Sequence, residues 1–458
     1  MERSAALTRL RLRRALTTVA SAAAISGALA APASAGWSRP AEVSGPTSIQ
    51  IIGTQVASSP AGAAAVAFNE VNLDAQATAG AYVALASPHG TFGVAHAVPG
   101  AQEILAVAYS GTTLELLTAS GLPNQPCCSD VQVIRRGPRS GFGPPQTIVT
   151  DAGGGTTGSL VPLTNGRLLA VIGAPQQLWA TEARGAGRFG RLRGLTPAGS
   201  APAAIAVTGT PGGGSAVVWT QGAGGDIFGA SAGPGATPSR RRTLFAVPAG
   251  HAVDGLQLVS QPAGLTVGWT EDYNDAGGAY HAQAFASDLV GLGTPLRPRA
   301  LSAPADVTSE LALASDENGD EVATWEVCSP SSPACTLQTR VRHDEVLPSR
   351  AKKKKKKKIK VKPLRWFGPV ANLGKIDPGE SPQLTMAGDG RALLGWITGA
   401  RVAVAEMPSG ANRLGASPRF ISGGLADDVA LGFGPGGAAV AAWTQGTYAP
   451  DVFASELR

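Results

Sequence analysis

Several stretches of this chain are copies of one another. "GGGSAVVWTQGAGGDIFGASA" (212–232), "GDGRALLGWITGARVAVAEM" (388–407) and "PGGAAVAAWTQGTYAPDVFASEL" (435–457) share one plan. Each has a glycine turn, an apolar run ending at Trp, a polar loop and a second alternating run. A repeated unit too small to bury its own apolar face must stack on its neighbours, so a period restricts the fold more than any single motif. The anchors are Trp219, Trp269, Trp325, Trp396 and Trp443, and degenerate earlier copies place Phe68, Leu117 and Ile172 at the same point. A glycine lies five or six residues before every anchor, and the steps between anchors are 49, 55, 47, 50, 56, 71 and 47 residues.

Each copy reads as four strands. Runs such as "SIQIIGT", "ILAVAY" and "ELALAS" are nearly continuous in apolar and small residues, as expected of an innermost strand buried on both faces. The Trp-bearing strand and the one after it alternate, as half-buried strands do. A fourth, outer strand opens on an aromatic-Gly pair, as in "FGPPQTIVT" (142–150), "FGRLRGLT" (189–196) and "FGPVANLG" (367–374). Four short antiparallel strands every fifty residues or so predict an all-β fold, a β-propeller. Eight four-stranded blades are counted; seven is the alternative if the weakly patterned second or third copy is misread. The last copy stops at its third strand, "DVFASELR", while "GWSRPAEVSG" near the N-terminus reads as the missing fourth. Residues 37–45 are therefore expected to complete the final blade and close the ring, which removes an exposed sheet edge.

"SDENGDEVATW" (315–325) and "AGDGRALLGW" (387–396) resemble the Asp-box turns of bacterial sialidase-like propellers, where Ser-x-Asp-x-Gly precedes an aromatic. Here the Trp lies six residues after the Gly rather than about three. The resemblance implies a propeller and carries no catalytic residues with it.

Residues 1–35 read as a secretory signal: Arg9, Arg11, Arg13 and Arg14 precede a short apolar core, and "ASA" at 33–35 offers a cleavage site. A single propeller domain over 36–458, secreted and monomeric, is expected. No later segment has the roughly 18 uninterrupted apolar residues of a membrane span. Of the formal charge of +6, the signal holds five Arg and one Glu, leaving +2. Lys352, Lys353, Lys354, Lys355, Lys356, Lys357, Lys358, Lys360 and Lys362 supply nine positive charges, so the remaining body is near −7. One basic tract on an acidic body argues against specific nucleic-acid binding. The tract explains the long step of 71 residues and predicts a disordered insertion at about 346–363, between third and fourth strands. It is a candidate tether for anionic envelope polymers.

Glu271 and Asp272 follow Trp269 directly, next to Tyr273, and Glu70 and Glu326 occupy the comparable place in their own copies. In a propeller those loops share one face, where carboxylates act as acid and base or bind a sugar or cation. The five His show no metal spacing, and neither a metal nor a cofactor is expected. "DENGD" (316–320) reads as a plain turn. Cys328 and Cys335 flank a hairpin loop at a spacing that bridges facing strands, a disulfide in an exported chain. Cys127 and Cys128 are adjacent; a strained vicinal bond, free thiols and a bond to another chain all stay open. The resulting expectation is a non-catalytic binding or scaffold module for a glycan, a protein or an anionic polymer. The alternative is a glycan-active enzyme, a sialidase-like glycosidase or a lyase, built on those four carboxylates.

Overall fold

The computed structural model describes residues 36–45, 50–72, 77–88, 90–122, 125–185, 187–200, 202–210, 212–222, 225–239, 241–262, 264–290, 294–329, 335–343, 366–415, 417–434, 438–446 and 450–457. All of them fall in one compact unit spanning Ala33–Arg458. The fold is an all-β propeller. Six sheets have four strands, and a nine-stranded sheet joins two further groups through a single parallel pair, Ala282 with Val307.

Among the described residues the innermost strands are Gln50–Ser58, Glu103–Ser110, Thr157–Pro162, Pro202–Gly209, His251–Gln261, Val307–Ser315, Gln383–Met386 and Ala426–Phe433, and blade 1 to blade 8 are used below as labels for the strand groups they open. Each packs against the next in this order, and Ala426–Phe433 packs back on Gln50–Ser58, so the ring is closed. Closure uses the N-terminal residues. Ala41–Glu42 pairs with Asp451–Leu457, setting Ala41 opposite Ala454, while Ser38 N and Val43 N donate to Glu456 O and Val452 O at 2.7 and 2.8 Å. Ala41–Glu42 and the C-terminal strand therefore share one sheet, as the three-stranded last copy implied.

All eight anchors are buried at equivalent places in the second strands. Four of them stack on an aromatic directly across the third strand: Phe68 on Tyr82, Trp219 on Phe228, Trp269 on Phe285 and Trp443 on Phe453, with centroids 5.7–6.1 Å apart. Such cross-strand aromatic pairs hold the register beyond what burial alone supplies.

Burial corrects one expectation. The second strand is the fully buried one: every residue of Arg167–Ala174 is buried, as are six of seven in Ala392–Thr398. The innermost strands are half-buried instead, as in Glu103–Ser110 and His251–Gln261. A second strand has sheet neighbours on both edges and blades on both faces; an innermost strand presents one edge to the open axis. A further correction concerns the outer strand. The aromatic-Gly pair precedes it, docking on the end of the third strand through Gly143 N to Arg135 O and Gly190 N to Glu182 O at 2.8 and 2.9 Å. The paired outer strands proper are shorter, Gln146–Val149 and Arg193–Gly194.

Cys328 and Cys335 lie directly opposite in the second and third strands of blade 6 and are disulfide-bonded, with Cα atoms 4.3 Å apart. The side chains of Cys127 and Cys128 and the lysine run lie outside the described residues. The run's flanks place it between the third strand Cys335–Arg342 and the outer strand Ala371–Ile376 of blade 6. No helix among the described residues is long and apolar enough to cross a membrane.

Candidate functional site

The upper face, where innermost strands begin and second strands end, carries all four carboxylates singled out from the sequence. The register shows this: Glu70 lies opposite Ile51, Glu271 opposite Val253, Asp272 opposite Ala252 and Glu326 opposite Ser309. No hydrogen bond or ion pair links the four to one another among the described residues. Glu70 is buried against Tyr82, whose hydroxyl is pushed up by burial and then by that carboxylate. Glu326 is buried under blade 6, accepting from Ser309 Oγ at 2.6 Å and Gly379 N at 3.3 Å, with burial raising its pKa.

Blades 2 and 5 have the longest strands on this face: Thr113–Leu122 and Gln125–Arg136 are ten and twelve residues, and the three inner strands of blade 5, His251–Gln261, Gly264–Asn274 and Tyr280–Val290, are eleven each, so its hairpin extends beyond Trp269. The turn is built locally: Asp275 Oδ1 accepts from Gly277 N and Ala279 N, both at 2.9 Å, as a short acid does in an Asx turn. Because strand side chains alternate, the hairpin presents two different faces.

One face carries a row of three rings. His251, Tyr273 and His281 are direct cross-strand partners. Tyr273 stacks on both imidazoles, with centroids 4.2 and 5.0 Å away. Each imidazole is tied to a carboxylate, His251 Nδ1 to Glu271 at 2.5 Å and His281 Nε2 to Asp275 at 3.0 Å. The His281 bond, with the turn amides, holds Asp275 below the usual carboxylate range. A carboxylate on one ring nitrogen orients an imidazole and fixes which nitrogen faces outward, the arrangement a general base needs.

The other face carries Asp254, Asp272 and Tyr280. Asp272 is raised mainly by burial and then by the Asp254 charge; Tyr280 is raised by burial and by both acids. Tyr280 is nevertheless 52% exposed. An exposed ring beside two acceptors is an amphipathic platform.

Besides His251, His281, Asp254 and Tyr280, which the sequence reading did not single out, the face holds Glu310. The innermost strands of blades 1, 5 and 6 bulge at the same place, between Ile52 and Gln55, Asp254 and Gln257, and Ser309 and Ala312. The bulge is left-handed at Gly53 and Gly255 with φ of 65° and 59°, and in blade 6 the same conformation falls on Glu310 at 50°. Its carboxylate accepts from Ser381 Oγ and repels Glu326. Aligning "IIGTQV", "VDGLQL" and "TSELAL" would have exposed it as a Glu where its sister copies have Gly. A non-glycine residue there stores strain of about 1 kcal/mol. Glu310→Gly is expected to raise the unfolding free energy by about that much in a urea titration. No gain would mean that the Ser381 bond offsets the strain.

"DENGD" is a turn: Asp316 Oδ1 accepts from the amides of Asn318, Gly319 and Asp320 at 2.7–2.9 Å.

No family model and no curated protein matches the chain. Solved structures share the fold. The polysaccharide lyase Uly1 superposes with a TM-score of 0.50 at 8% identity, over 78% of this chain and 90% of that one. The β-propeller domain of the trilobed protease from Pyrococcus furiosus gives 0.43 at 8%, over 82% and 96%. The α-L-arabinanase of Penicillium chrysogenum gives 0.40 at 13%, over 65% and 91%. At 8% identity the likeness to Uly1 is one of fold alone, and the Asp-box resemblance gains no family match.

Proposed function

We propose that the protein is a secreted, eight-bladed propeller that binds a polysaccharide over its upper face, with the blade 5 hairpin as its main contact. The observation that carries this reading is Tyr280, exposed on a hairpin of eleven-residue strands with Asp254 and Asp272 beside it. A sugar ring offers an apolar face to stack on an aromatic and a rim of hydroxyls that donate to carboxylates. The test is retention of the mature chain on a panel of insoluble polysaccharides and an isolated cell-envelope fraction. Tyr280→Ala is expected to weaken retention about tenfold, the scale of one lost stacking contact. Unchanged retention on every matrix would remove the hairpin from the binding surface.

A second reading, cleavage of the bound chain, is favoured by the Glu271–His251–Tyr273 arrangement. His251, oriented by Glu271, would take a proton, and the Tyr273 hydroxyl beside it would deliver one to the leaving oxygen. The fold-sharing Uly1 is itself a polysaccharide lyase. His251→Ala should then reduce release of soluble oligosaccharides by at least about a hundredfold while retention persists. If the parent releases nothing from any polysaccharide it retains, the cleavage reading falls and binding stands.

A further inference from the structure

The connections between third and outer strands leave the ring on the lower face, opposite the blade 5 site. In blades 2, 3 and 4 they run from Arg136 to Gln146, from Arg184 to Arg193 and from Ala232 to Arg242. None of the three contains an Asp or Glu. Arg136, Arg139, Arg184, Arg188, Arg191, Arg193, Arg241 and Arg242 lie in or at the ends of them, and none of these eight makes an ion pair with a described residue. All but Arg136 and Arg241, which are half-buried, are exposed.

The three connections are continuous. Arg135 Nη2 donates to Gly187 O at 2.8 Å and its guanidinium lies over the Phe189 ring, joining blade 2 to blade 3. Gln146 reinforces the same junction, donating to Phe189 O and accepting from Phe189 N, each at 3.1 Å. Between blades 3 and 4 an open groove of about 420 Å³ is lined by Arg191, Leu192, Arg193, Gly194 and Ser239. Two carboxylates of these blades, Glu115 and Glu182, are already engaged by Arg135 and Arg167. The arc is thus one uncompensated positive strip across three blades of an otherwise acidic body.

The geometry points to a docking surface for an anionic polysaccharide on this strip, distinct from the upper-face site and from the lysine run. Arginine forks match carboxylate, sulfate and phosphate oxygens in pairs. Single-stranded nucleic acid needs aromatic platforms as well as charge. Here Phe189 is buried and the Phe142 and Phe228 rings are covered by Arg136 and Arg241. Saturated rings bearing pendant anions need no such platform.

The probe is heparin, a sulfated polysaccharide, with poly(dT) as the competing polymer. Four mature proteins are compared by affinity across a salt series: the parent, the triple variant Arg188→Ser/Arg191→Ser/Arg193→Ser, its Arg→Lys counterpart, and a deletion of 352–362. The Ser triple is expected to weaken heparin binding about tenfold and to flatten the salt dependence by roughly two to three in log–log slope. The Lys triple and the deletion are expected to keep that slope contribution. Equal binding by parent and Ser triple, with binding lost on deletion, would overturn the proposal and leave the lysines as the polyanion contact. Tighter binding of poly(dT) than heparin, lost in the Ser triple, would overturn it in favour of nucleic acid.

Discussion

Replacing Arg342 with methionine is expected to destabilise the ring by about 3–5 kcal/mol, the cost of leaving buried charge without its partner. Arg342 is fully buried where blades 5 and 6 meet. Its Nη1 bonds Asp288 at 2.8 Å and its Nη2 bonds Glu321 at 2.7 Å, and Thr266 Oγ1 donates to Glu321 at 2.6 Å. Asp288 lies near the end of the third strand of one blade and Glu321 opens the second strand of the next, so the guanidinium ties the two together. Methionine fills much of the stem volume but leaves both acids facing apolar surface, including Phe367, over whose ring the guanidinium lies at 5.2 Å. Urea unfolding of parent and variant at neutral pH measures the loss. A change under about 1 kcal/mol would mean that water reaches the acids once the arginine is gone.

Glu321→Gln should act in the opposite direction, and only at higher pH. Burial pushes Glu321 up to about 7, against the opposing pull of Arg342. A carboxyl whose folded value lies above its unfolded value holds its proton more tightly when folded. Stability from this group is therefore full below about 4.5 and declines as pH rises toward 7, by up to roughly 3 kcal/mol. Glutamine keeps the shape and the uncharged state throughout. The free-energy difference between variant and parent is expected to grow in the variant's favour from pH 4 to pH 8 and then to level off. A difference that does not change with pH would show that Glu321 stays ionised beside Arg342. The cost of Arg342→Met should likewise be smaller at pH 5, where Glu321 is protonated.

The repeat made the architecture legible because its signals are local. An apolar run ending in Trp and a glycine before it specify a strand and its turn without knowledge of what packs against them. The last copy went further: it has three strands of its own, and Ala41–Glu42, within the 37–45 segment read as its fourth, pairs with its third strand Asp451–Leu457. The cysteine pair was legible for the same reason: eight residues of hairpin bring Cys328 to Cys335 by local register.

Chemistry was less legible. Glu271 and Asp272 are neighbours in sequence, yet alternation sends them to opposite faces of one strand, where one orients His251 and the other meets Asp254. Neither His251 nor His281 drew attention as a lone histidine; both acquire a role from the cross-strand register with Tyr273. Glu310 needed the repeat alignment and the left-handed backbone together.

The sequence by itself therefore determined the blade, its period and the closure of the ring, since strand alternation and turn chemistry act within a few residues. Only the tertiary structure decided which side chains meet. It brought Asp288, Glu321 and Arg342 together across a blade boundary, and it aligned the arginines of three separate connections into one strip. Those meetings depend on how neighbouring blades pack, a distance of some fifty residues along the chain over which no local rule reaches.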